Sequence, residues 1–123
     1  MSYVRVTWEM VEQFTEAVKR EYTGVLIDGV YGLPRGGLIF AVMLSHKLSI
    51  PLLSSPTKHS LIVDDICDSG ESLLHYYKNS SSSADSKRSQ ICTMFYKENK
   101  LGVVPDFWMY QKENDWIVFP WEE

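Results

Sequence analysis

The chain has 123 residues, of which 45% are hydrophobic and 13% aromatic, with a formal charge of −4 and an isoelectric point near 5.3. This length suits one domain, residues 1–123, around a single core, and the apolar content argues against disorder. The acidic balance argues against nucleic acid as the main partner, so a small anionic ligand would have to be held by local groups. No run of about 18 apolar residues and no apolar leader after Met1 are present, so neither a membrane span nor export is expected, and the expected location is cytoplasmic.

Val11, Phe14, Val18 and Tyr22 recur at helical spacing between Glu12, Glu16, Lys19 and Arg20, which predicts an amphipathic helix over Trp8–Glu21 with Thr7 as its N-cap. Val25–Tyr31 is rich in β-branched residues and predicts a strand. Pro34–Gly37 break the chain, and Leu38–Leu48, apolar on nearly every face, predicts a helix buried between the sheet and a neighbour. Short strands are expected at Ile50–Leu53 and Leu61–Asp65, a helix at Ser72–Asn79 and a strand at Gln90–Tyr96. The polar run Ser80–Ser86 reads as a solvated loop, and Phe107–Trp121 as an aromatic, extended tail. Strands alternating with helices predict an α/β fold: a single-domain parallel β-sheet flanked by helices, with ligands at the carboxyl ends of its strands. Cys67 and Cys92 have no metal-ligand spacing and are expected to be free thiols. His46, His59 and His75 share no such spacing either and are assigned no chemistry.

Leu61-Ile62-Val63-Asp64-Asp65-Ile66-Cys67-Asp68-Ser69-Gly70-Glu71-Ser72-Leu73 carries the most information. An apolar strand runs into adjacent carboxylates, and a third carboxylate, a Ser-Gly-x-Ser turn and a helix start follow. Carboxylates accept hydrogen bonds from sugar hydroxyls or hold a metal's water shell, while turn amides and a helix N-terminus hold phosphate. A calcium loop counted from Asp64 fails because Ile66 stands at its third position. A nucleotide P-loop fails because no lysine follows Gly70. The segment reads as a ribose-phosphate cradle. A second loop, Gly32-Leu33-Pro34-Arg35-Gly36-Gly37, follows a predicted strand and opens a helix. Its glycines let backbone amides approach a ligand, and Arg35 can fork onto phosphate oxygens.

The Asp64 segment resembles the PRPP-binding motif of type I phosphoribosyltransferases: an apolar strand, two acids, two intervening residues, then Asp-Thr/Ser-Gly-x-Thr/Ser. The Arg35 loop is similar to the pyrophosphate-binding loop of that family. In similar members the peptide before the basic residue is non-proline cis and turns an amide toward the pyrophosphate; carried over, it is the Pro34–Arg35 bond. Val6-Thr7-Trp8-Glu9-Met10, the helix from Gly36 to Ile50 and Asp115-Trp116-Ile117-Val118-Phe119-Pro120-Trp121-Glu122 resemble bacterial xanthine-guanine phosphoribosyltransferases.

The resemblance implies transfer of the 5-phosphoribosyl group of PRPP to a 6-oxopurine (guanine, xanthine or hypoxanthine), with release of pyrophosphate, in purine salvage. Asp64, Asp65 and Asp68 with Ser69, Gly70, Glu71 and Ser72 would bind the ribose and 5′-phosphate of PRPP, and Pro34, Arg35 and Gly36 the pyrophosphate. Asp68 would be the catalytic general base or proton relay at the purine imidazole. Lys97 would donate to the purine O6, Trp116 would stack on the ring, and the backbone of Ile117 would read the exocyclic group, in a small C-terminal base-binding hood. Asp65 would face Mg²⁺, and a homodimer or higher homo-oligomer is implied. One departure stands out. Family members carry a long mobile lid before the motif strand, whereas only Leu53–Ser60 lies there. The alternative reading is therefore a catalytically weak or inactive PRPP- or nucleotide-binding sensor on the same fold.

Overall fold

The structure is a computed structural model that describes residues 2–80 and 89–122, and at 78–80 the backbone alone. Its elements are β1 (Tyr3–Arg5), α1 (Trp8–Tyr22), β2 (Val30–Gly32), α2 (Gly36–Leu48), β3 (Leu61–Cys67), α3 (Glu71–Ser80), β4 (Gln90–Tyr96), β5 (Phe107–Gln111) and β6 (Trp116–Val118). A 3₁₀ turn, Pro120–Glu122, closes the described chain. Of the polar run expected as a loop, Ser80 ends α3 and the remainder lies outside the described residues.

Strands β2-β3-β4-β5 form a parallel sheet in that order, and helices connect the first three. Helices on the faces of a parallel sheet bury it on both sides. On one side, α1 and α2 pack Val11, Phe14, Val18, Phe40 and Leu44 over Leu61, Val63, Cys92 and Met94. On the other, Leu73 of α3 joins Leu33, Ile62, Ile91 and Val103. Each fully buried large apolar side chain contributes about 1.5–3 kcal/mol. Helix α1 starts as expected, because the Thr7 hydroxyl accepts a hydrogen bond from the Met10 amide at 3.1 Å. Both cysteines are free and buried.

Several elements differ from expectation. The predicted strand at 25–31 shrinks to β2, because Leu26 is 96% exposed and lacks the packing that its β-propensity needs. The predicted strand at 50–53 is reduced to one parallel bridge, Val30 to Leu52. Strand β3 continues past Asp65 to Cys67, since β4 extends alongside and Cys67 pairs with Tyr96. Helix α2 begins at Gly36, so the glycine pair forms its first turn and is no break before it. Leu38 and Val42 on α2 are exposed, so this helix is buried on one side only.

The largest difference is at the ends of the chain. The tail is not a single extended segment: β5 is the edge of the main sheet, and β6 turns away to pair in parallel with β1. Tyr3 lies opposite Trp116 and Val4 opposite Ile117. The Trp116 amide donates to the Ser2 carbonyl, and the Val6 amide to the Val118 carbonyl, each at 2.8 Å. The C-terminal hood is thus built from both ends of the chain.

Candidate active site

Three adjacent parallel strands end side by side, and the residue just past each end is ionisable: Asp68 after β3, Lys97 after β4 and Lys112 after β5. The sheet ladder runs on through this row. The Lys97 amide donates to the Cys67 carbonyl and the Lys112 amide to the Tyr96 carbonyl, each at 2.8 Å. The side chains converge on one carboxylate. Lys97 Nζ lies 3.9 Å from Asp68 Oδ1, and Lys112 Nζ lies 3.3 Å from Asp68 Oδ2. Lys97 also donates to Asn114 Oδ1 at 2.8 Å, which ties this cluster to the turn before Trp116. Trp116 is 59% exposed, while the Ile117 side chain is buried in the core. Only the backbone of Ile117 is left to meet a ligand.

The two candidate loops also meet. A side chain at position 36 would displace the Asp65 carboxylate, and a Cβ at position 37 would collide with the Val63 carbonyl oxygen, so this glycine pair lets the Arg35 loop and β3 touch. The Pro34–Arg35 peptide is cis, as the resemblance implies. Pro34 and Arg35 are exposed, Asp65 is half-buried, and Asp64 is buried. Asp64 accepts a hydrogen bond from the Asp65 amide at 2.9 Å, and Asp65 one from the Ile66 amide at 2.7 Å. Burial first, and then the neighbouring Asp65 charge, push the Asp64 carboxyl up to about 8. Asp64 therefore holds its proton more tightly than an exposed carboxyl would.

The turn from Ser69 to Ser72 leads into α3 as expected. The Ser69 hydroxyl accepts a hydrogen bond from the Glu71 amide at 3.3 Å, and Gly70 takes a positive φ of 86°. Glu71 and Ser72 are exposed in the first turn of the helix, where amide groups lack intrahelical partners. The turn is backed by Asn99, whose Oδ1 accepts from the Val103 amide at 3.0 Å and whose Nδ2 donates to the Val103 carbonyl at 2.8 Å. Sequence reasoning missed Asn99 and Lys112. Neither belongs to a motif, and Lys112 falls inside the segment 107–121 that reads as one extended tail, so nothing in the sequence marks it as the residue just past a strand.

The short segment before β3, expected to be too short to serve as a lid, is anchored at the other end of the sheet. The Thr57 hydroxyl donates to Asp28 at 2.9 Å, and the Ser89 hydroxyl, just before β4, donates to the Thr57 carbonyl at 2.9 Å. The Asp28 amide donates to the His59 carbonyl at 2.9 Å. Residues 57–60 are therefore tied to the segments that lead into β2 and β4, whereas the candidate site lies at the carboxyl ends of the strands.

No family model matches the chain. A xanthine-guanine phosphoribosyltransferase of Idiomarina loihiensis is 23% identical over 143 aligned positions, covering 95% of this chain and 85% of that protein. Among solved structures, a purine phosphoribosyltransferase from Pyrococcus horikoshii superposes with a TM-score of 0.82 at 31% identity, covering 100% of this chain and 96% of that one. A xanthine-guanine-hypoxanthine phosphoribosyltransferase of Helicobacter pylori gives 0.78 at 20% identity, covering 98% and 94%, and shows the shared fold. Sheet order, adjoining ligand loops and these likenesses agree. The chain belongs to the type I phosphoribosyltransferase family.

Proposed function

We propose that this protein is a purine phosphoribosyltransferase that joins the 5-phosphoribosyl group of PRPP to a 6-oxopurine in purine salvage. The observation that carries the reading is the Asp68 carboxylate beside the Lys97 ammonium at 3.9 Å, at the strand ends next to the phosphate turn. An acceptor and a donor side by side suit the imidazole nitrogen and O6 of a 6-oxopurine. Asp68 would take the purine proton, Lys97 would donate to O6, Trp116 would stack, and the Ile117 backbone would read the exocyclic group. The amides from Ser69 through Gly70 and Glu71 to Ser72 would hold the 5′-phosphate. Asp64 and Asp65 would hold the ribose hydroxyls, and Pro34, Arg35 and Gly36 the pyrophosphate.

Holding both ends of PRPP in line with the base removes much of the entropic barrier, and Arg35 with the loop amides stabilises charge on the departing pyrophosphate. Among the described residues no three His, Cys, Asp or Glu side chains could hold a metal by themselves. The half-buried Asp65 carboxylate beside the Arg35 loop fits a magnesium ion carried in on a polyphosphate, which keeps its waters and takes one or two carboxylates. When bound, Mg²⁺ would supply charge neutralisation on the pyrophosphate.

A homodimer or higher oligomer in the cytoplasm completes the proposal. The exposed Leu38 and Val42 on α2 support the first part, and no described helix is long and apolar enough to cross a membrane. The second reading, a PRPP or nucleotide sensor with little turnover, is favoured by the tethering of residues 57–60 away from the site. A pyrophosphate-release assay with PRPP, Mg²⁺ and each purine in turn separates the two. Nucleotide is expected from guanine, xanthine or hypoxanthine, with adenine used about 10²-fold less well, because its amino group would face Lys97 donor to donor. Equal use of adenine and guanine would remove Lys97 from its role, and no nucleotide from any base would leave the sensor.

A further inference from the structure

Lys112 belongs to neither ligand motif, yet its ammonium is aimed at the carboxylate on which the proposed chemistry turns. Its side chain is 5% exposed, against 56% for Asp68. A buried ammonium needs partners, and two are present: Asp68 Oδ2 at 3.3 Å and the Glu113 carbonyl at 2.9 Å. Its backbone is locked in turn, because its amide extends the sheet ladder to Tyr96. The two lysines beside Asp68 are therefore unequal. Lys97 is more exposed (30%), already divides its hydrogen bonds with Asn114, and approaches Oδ1 only to 3.9 Å. Lys112 is the fixed partner and Lys97 the movable one.

We propose that Lys112 is a positioning residue that anchors Asp68 through Oδ2, leaving Oδ1 and the Lys97 ammonium for the purine. This rests on the transferase reading above. When a base draws Lys97 away, a half-exposed carboxylate without Lys112 would lose its orientation, or would follow Lys97 and compete with the base for it. Both effects act chiefly on purine and turnover, because the Ser69–Ser72 amides and the Arg35 loop keep their own hold on PRPP.

Two measurements test this, the first independent of turnover. In ¹⁵N NMR of the full chain, the Lys112 ammonium signal is expected to shift in Asp68→Asn, and an unmoved signal would overturn the pairing. In kinetics, Lys112→Met, which keeps length and apolar packing, is expected to lower kcat about tenfold or more and to raise the purine KM, the scale on which outer-shell partners of a reacting group act. The PRPP KM should stay within about twofold. Lys112→Arg should recover a large part of the loss. In an Asp68→Asn background the Lys112→Met effect should nearly vanish, since coupled residues are non-additive. A full Lys112→Met effect in that background, or a loss shared equally by PRPP KM and thermal midpoint with kcat unchanged, would mark a structural lysine and overturn the proposal. Wild-type protein that forms no nucleotide with any purine, yet shows the ammonium shift, would overturn the transferase reading instead: the pair would exist, but not as an aid to catalysis.

Discussion

Asp64 is the residue whose surroundings most change its chemistry. It lies inside β3, buried beside Asp65, and its carboxyl is pushed from an ordinary 3.8 up to about 8. Between those values the folded chain keeps a proton that the unfolded chain has released. The stability this group contributes is full below about pH 4 and is lost as pH rises through about 8. Urea-unfolding free energies are thus expected to fall from pH 5 to pH 8.5, with a shallower slope in Asp64→Asn, which mimics the protonated acid; identical slopes would dismiss Asp64 as the source. Cys67 titrates above its usual range for a related reason, with burial first and then Asp64 and Asp68 pushing its thiol up to about 11. Asp68, in contrast, is half in solvent and flanked by two ammonium groups. Asp68→Asn keeps an oxygen acceptor for Lys112 but removes the base. Turnover should drop about 10²-fold or more with PRPP binding little changed, and an undiminished rate would take Asp68 out of the mechanism.

The turn between β3 and α3 depends on one glycine held on two counts. Gly70 has a φ of 86°, a conformation that side chains rarely adopt, and a Cβ there would sit 3.0 Å from Asn99 Oδ1 and from Val103 Cβ. Gly24 has the same φ, but nothing lies within 4 Å of its would-be Cβ. Gly24→Ala is therefore expected to cost about 1–2 kcal/mol of backbone strain alone. Gly70→Ala should cost about 1–3 kcal/mol more, because the Asn99 bridge must shift as well. Equal losses in chemical denaturation would show that the bridge gives way freely. The same comparison explains what was legible here. A glycine before a helix start names the turn, whereas the Asn99–Val103 bridge is local to the β4–β5 connection and meets Gly70 only through tertiary packing.

At the scale of the whole molecule, the sheet separates two ends with different duties. Both candidate loops and the Asp68 row lie at the carboxyl ends, while the segment just before β3 is hydrogen-bonded at the amino ends through Thr57 and Ser89. Strand β3 is seven residues long, or about 23 Å at the usual rise, so no small movement of residues 57–60 can close over bound PRPP. An uncovered reacting centre admits water. Transfer is expected to run slowly, with more PRPP consumed than nucleotide formed when both are measured in one reaction. Fast turnover with the two quantities equal would show that another segment or a second copy of the chain covers the site.

Much of this protein was readable along the chain. An apolar run into Asp64 and Asp65 and a glycine turn at Gly70 ahead of a helix are local patterns, because strand burial, turn conformation and helix starts are set by near neighbours. Their meeting at one edge followed from βαβ connectivity, which brings parallel strand ends together. Three things lay beyond such patterns. Leu26 has the character of a strand residue but finds no neighbour to pack against. Strand β6 pairs with β1 from the opposite end of the sequence. Lys112 looks like an ordinary surface cation until the β4–β5 register buries it against Asp68. Each depends on which distant residues become neighbours. Pairing and burial are properties of contacts between segments, so only the tertiary structure decided them.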